Sequence, residues 1–134
     1  MRIVSLFAGL LLTGYFTYGQ NLVGFNSKEI QKYMKENRLD MNVEKVTNNR
    51  FKYLKYSNNS DSQTLLFFFT NDSICKSVRL ICDQRIKAEK VKEFDSIYKK
   101  IGKNRWIENR NGKNYHIEIR EEEWSSIVTI EPYK

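Results

Sequence analysis

The only histidine of the chain, His116, stands two residues from Glu118 in a segment where apolar and polar residues alternate. On a strand that spacing puts both side chains on one face about 7 Å apart, close enough for a carboxylate to orient an imidazole for acid–base work. One histidine and one glutamate are also what an ordinary wet strand face supplies, so the solvated histidine is the stronger reading. A small hydrolase built on His116 with Glu118 is the weaker one. No nucleophile elbow, glycine-rich phosphate loop, H-E-x-x-H or calcium-loop pattern accompanies the pair. Glu121, Glu122 and Glu123 are adjacent in a turn and diverge, whereas a hard cation needs six or more converging oxygens. Nothing in these spacings calls for a cofactor or a metal, and the expectation is a protein that is not an enzyme.

Cys75 and Cys82 have the right chemistry for a disulfide but the wrong spacing. In one extended segment their seven-residue separation spans about 23 Å, against a reach of about 7 Å, so two free thiols are expected. An odd separation also sends them to opposite faces, with Cys82 inward and Cys75 outward. Paired C-x-x-C spacing for zinc is absent.

Charge and exposed apolar groups are the remaining candidates. The formal charge is +7, or +6 without Arg2, and cations gather as Lys99, Lys100, Lys103, Arg105, Arg110 and Lys113 against Glu108 alone. Such a cluster suits an anionic polymer or surface, although solubility by itself accounts for a basic surplus. Aromatics nearby, Trp106 and Trp124 among them, are of the type that stacks on sugars or bases, though most aromatics in so small a domain are core. In the run 65–69 (Leu-Leu-Phe-Phe-Phe), Leu66 and Phe68 point away from Phe67 and Phe69. Either another segment covers them, such as residues 39–47, or they form an exposed apolar patch that marks an interface.

The elements that must position these groups are mostly strands. Asn26 with Glu29 forms a capping box, Phe25 and Ile30 take the staple positions, and a first helix is expected over residues 27–37. Short strands are expected at 39–47, 51–56, 65–69 and 74–82. A second helix is expected over 84–101, capped by Asp83, stopped by Gly102 and striped by Val91, Phe94, Ile97, Tyr98 and Ile101. Strands at 105–108, 115–120 and 124–131 follow, the first two joined by the hairpin pair Asn111-Gly112. Leu65, Phe67, Phe69, Ile74, Val78 and Leu80 recur fifty residues on as Tyr115, Ile117, Ile119, Trp124, Val128 and Ile130. The expected fold is α+β: an antiparallel sheet of six or seven strands with two helices on one face, read as a duplicated helix-plus-three-strand unit.

Residues 1–19 read as a secretory signal peptide, with Arg2 at the start, an apolar run over 3–12 and small residues at Thr17 and Gly19. The uncharged stretch of about 16 residues is short of the ~20 of a spanning helix. Removal of the segment leaves residues 20–134 as one domain with no membrane span, expected to be periplasmic or secreted. With 40 % hydrophobic residues over the whole chain and one proline, residues 20–134 have the material for a core and no linker.

The order of elements resembles the small exported bacterial domains built from tandem helix-plus-three-strand units, the fold of the beta-lactamase inhibitory protein and of PepSY domains. The resemblance covers the whole of 20–134 and rests on element order alone. It implies a binding or inhibitory module whose exposed sheet face meets a protein partner in the cell envelope or outside the cell. It carries over no functional residue, and the missing disulfide departs from the inhibitor's pattern.

Overall fold

The computed structural model describes residues 21–44, 52–60 and 62–133. Helix α1 (Ser27–Asn37) starts where the capping box puts it: Asn26 Oδ1 accepts from the Glu29 amide at 2.8 Å, and Glu29 Oε1 accepts from the Asn26 amide at 2.9 Å. Four strands then meander, β1 (Met41–Glu44), β2 (Lys52–Asn58), β3 (Gln63–Phe69) and β4 (Cys75–Asp83). A 3₁₀ turn (Gln84–Ile86), with Asp83 accepting from the Arg85 amide, leads into α2 (Lys87–Ile97). A second meander follows: β5 (Lys99–Gly102), β6 (Arg105–Arg110), β7 (Lys113–Glu121) and β8 (Ser125–Pro132). Asn111 and Gly112, at φ 52° and 81°, form the whole β6–β7 loop, the positive-φ pair that a right-twisted two-residue hairpin requires.

All eight strands lie in one antiparallel sheet, in the order β1-β2-β3-β4-β8-β7-β6-β5. The two meanders meet through β4 and β8, where Arg79 lies opposite Thr129, its own counterpart fifty residues on. The flanking pairs Val78 with Ile130 and Leu80 with Val128 exchange under the same offset, so a local two-fold relation passes through the Arg79–Thr129 pair. Each half is a helix plus four strands, not a helix plus three.

The fourth strand of the second half is β5, where the sequence pattern extends a helix to residue 101. Ile101 keeps helical phase with Phe94 and Tyr98, but Tyr98 adopts ψ 163° and the next residues pair with β6. Ile97, expected on the buried stripe, is consequently 47 % exposed, while Val91 and Tyr98 pack at the edge of the core. A second correction concerns Cys75. Phe68 pairs with Ser77 but Phe69 with Cys75, so Lys76 is an extra bulge residue that reverses the alternation and turns Cys75 into the core. Both cysteines are free and buried, at 1 % and 2 % exposure. In the stretch 39–47 only Met41–Glu44 is strand within the described residues; Val46, the Asn48-Asn49 turn and Phe51 lie outside them.

One sheet face is apolar and closed. Leu54, Tyr56, Leu65, Phe67, Val78, Leu80, Trp106, Ile117, Val128 and Ile130 are buried there with Ile30 and Met34 of α1 and Phe94 of α2. Phe94 meets Trp106 edge to face at 5.3 Å, and the indole Nε1 donates to Asp95 Oδ1 at 2.9 Å, which satisfies the buried polar end of the ring. At roughly 1.5–3 kcal/mol per fully buried large side chain, this contact holds two eleven-residue helices that are too short to be stable alone. The segment before α1 belongs to the same core: Asn21, Leu22 and Val23 are buried, and the Gly24 amide donates to the Cys75 carbonyl.

Candidate functional site

The opposite face of the sheet carries no helix among the described residues, and strand register sets its side chains in rows. One row runs Glu44, Lys55, Leu66, Arg79, Thr129, Glu118 and Arg105 through every strand from β1 to β6. Beside it Tyr53 lies opposite Phe68, and Phe68 opposite Ser77. On the other side Thr64 lies opposite Ile81, and Ile81 opposite Ile127. Leu66 and Phe68 therefore share this face, as their phase against Phe67 and Phe69 requires. β1 lies in the plane of the sheet beside β2 and does not cover them.

The first half of the open face is apolar where a solvated sheet face is ordinarily polar. Tyr53, Leu66, Phe68 and Ile81 line a shallow depression edged by Lys55 and Thr64. The Tyr53 and Phe68 rings are 5.9 Å apart, and the Arg79 guanidinium lies over the Phe68 ring at 5.5 Å. Lys55 pairs with Glu44 at 3.2 Å. All four apolar residues are half-buried by their neighbours, so the patch is a fixed surface of flat rings and branched chains with one cation stacked on it.

The second half of the face holds His116, which is half-buried. Arg105 Nε donates to His116 Nε2 at 3.3 Å, and the ring lies 5.9 Å from Tyr133. Glu118 is directly opposite Arg105 in the strand register. Burial pushes the Cys75 thiol up to about 12 and raises Cys82 as well, keeping both as thiols at neutral pH. Among the described residues no three His, Cys, Asp or Glu side chains converge as a metal site would require.

The basic cluster divides. Lys99, Lys103 and Arg105 remain exposed around β5 and the start of β6. Lys100 lies opposite Trp106, on the helix side, 3.7 Å from Asp95. Arg110 and Lys113 are at the far end of β6, about 16 Å from Arg105 at ~3.3 Å per residue. Arg110 turns inward altogether: it donates to the carbonyls of Asn21 and Val23 and to the Tyr115 hydroxyl, and stacks over the Tyr115 ring at 4.6 Å. It also lies 5.7 Å from the Phe25 ring, which is 38 % exposed. The signal for this role is the period of two from Trp106, which puts Glu108 and Arg110 on the core side of β6. Glu108 indeed accepts from Asn21 Nδ2 there.

No protein-family model, no curated protein and no solved structure matches the chain.

Proposed function

We propose that the chain is an exported, non-enzymatic interaction module that meets another protein, in the cell envelope or outside the cell, through the open face of its sheet. The observation that supports this is the cluster of Tyr53, Leu66, Phe68 and Ile81 on a face over which no described helix lies. A contiguous apolar patch on a solvent-facing sheet is the common mark of an interface. The Arg79 guanidinium stacked on Phe68 suits a partner surface that is apolar and carries a carboxylate. The two-fold relation of the halves favours descent by duplication, and with it the likeness to the tandem-unit inhibitory and PepSY domains. Export rests on the pattern over residues 1–19; no described helix is long and apolar enough to cross a membrane.

The test is a pull-down from envelope and culture fractions with the exported protein and with Leu66→Ser/Phe68→Ser, after thermal unfolding shows that the variant is folded. Loss of a defined partner in the variant supports the proposal. Identical profiles would remove the patch from it, and salt-sensitive retention on heparin lost in Lys103→Glu/Arg105→Glu would put a polyanion in the partner's place.

A further inference from the structure

Trp124 is 83 % exposed, whereas Trp106, the other tryptophan, is fully buried. It does not stand on a loose loop. Gln84 Nε2 donates to the carbonyls of Glu122 and Glu123 at 2.6 and 2.8 Å, and the Glu122 amide donates to the Ser125 carbonyl at 2.8 Å. Lys87 pairs with Glu121, and Arg120 Nε with Glu122 Oε2 at 2.8 Å. Two of the three adjacent carboxylates are thereby neutralised. Glu123, beside the indole, enters no ion pair among the described residues. An indole held out into water on a braced turn has prepaid the ordering entropy of binding, the property that makes tryptophan a frequent hot spot.

The opposite end of the same sheet carries a complementary feature. A cleft of about 450 Å³ lies over the buried Val23, Cys75 and Tyr115, and its exposed walls are Pro132, Tyr133 and Asn114 together with Lys76 and Lys113. Neither lysine has an ion-pair partner among the described residues. Lys76 owes its position to the bulge that turned Cys75 inward, and Lys113 to the Asn111-Gly112 hairpin.

We propose that these two features bind each other between copies of the chain: Trp124 of one molecule fills the cleft of the next, with Glu123 set between Lys76 and Lys113. The match is one of chemistry, an apolar ring with one anion outside any ion pair against a recess walled by Pro132 and Tyr133 with two cations outside any ion pair, among the described residues. β8 separates the two ends by seven residue steps, about 23 Å, so one molecule cannot satisfy itself. A contact between different surfaces repeats head to tail. It does not use the Tyr53, Leu66, Phe68 and Ile81 patch, and stands apart from the function proposed above.

Sedimentation velocity on the protein purified from the exported fraction of cells expressing the full 134-residue sequence tests it. The sedimentation coefficient rises with concentration at low salt and falls back at high salt, where the Glu123–lysine attraction is screened. Trp124→Ala and Lys76→Glu/Lys113→Glu each weaken association about tenfold or more, the effect of removing a hot spot. Mixed together, those two variants form one-to-one dimers and nothing larger, because one retains only the cleft and the other only the indole. Should either variant fail to fold by circular dichroism, Glu123→Lys takes its place: it dissociates the protein, and adding Lys76→Glu/Lys113→Glu to it restores association. A wild-type protein that stays monomeric at all concentrations and salts, a Trp124→Ala protein that associates like wild type, or a mixture that forms no dimers overturns the proposal.

Discussion

Replacing Arg110 with alanine separates a structural arginine from a binding one. The side chain satisfies two backbone carbonyls, of Asn21 and Val23, in a segment that is otherwise buried, and its guanidinium covers the Tyr115 ring. Each carbonyl left without a partner costs about 1–3 kcal/mol, and loss of the ring contact adds about 0.5–1 kcal/mol. Water entering the vacated space recovers part of this, so a loss of about 3 kcal/mol is expected. That is a large share of the roughly 5–15 kcal/mol that holds a domain of this size. The thermal midpoint drops by about 10 °C, at a few degrees per kcal/mol. Arg110→Lys is expected to recover little, because one ammonium does not reproduce the fork that spans two carbonyls and a hydroxyl. Lys113→Ala, at the first residue after the turn and exposed, changes stability by about 0.5 kcal/mol or less. Urea unfolding followed by circular dichroism measures all three. An Arg110→Ala midpoint within error of Lys113→Ala would mean that the N-terminal segment is not held as described.

Three further outcomes follow from the same core. Neither thiol of the native protein reacts with a maleimide or disulfide reagent at neutral pH, and both react after unfolding without reductant; fast labelling of Cys75 alone would mean that the bulge at Lys76 is wrong. Because burial raises Cys75 from 9.0 to about 12 in the folded state, the unfolded chain ionises first as pH rises. The stability from this group is whole below pH 9 and is lost progressively towards pH 12, so Cys75→Ala flattens the alkaline limb of the unfolding curve, and an unchanged limb would contradict it. Asn26→Ala, which removes one half of the capping box, costs about 1 kcal/mol in urea unfolding, and a cost near zero would show that α1 starts elsewhere.

The elements whose signals are local were legible in the residues themselves. The capping box at Asn26 and Glu29, the Asn111-Gly112 turn and the alternation of Tyr115, Ile117 and Ile119 each depend on neighbours in sequence, and each stands where the pattern puts it. That Leu66 and Phe68 point away from Phe67 and Phe69 was legible for the same reason, while whether another segment covers them was not. What was not legible depends on partners far along the chain. Ile101 has the same spacing to Phe94 and Tyr98 whether residues 99–102 are helix or strand, and only the edge of β6 decides between them. A bulge of one residue leaves no mark in composition, yet it inverted the facing of Cys75. The cluster around residues 99–113 was visible as charge, but charge alone does not tell that Arg110 ends on carbonyls 87 and 89 residues away. Trp124 matched Ile74 in the fifty-residue repeat, and both fall at turns, where the repeat keeps its register but not burial.

The central claim is that the open sheet face, and not the helical side, is where this protein meets its partner. Site-specific photo-crosslinking in cells that express the full sequence tests this most directly, with a benzophenone amino acid placed in turn at Leu66, at Phe68 and at Lys28, an exposed position on α1. The account predicts a discrete adduct of one protein from Leu66 and from Phe68 and none from Lys28. An adduct from Lys28 with none from the two sheet positions would contradict it.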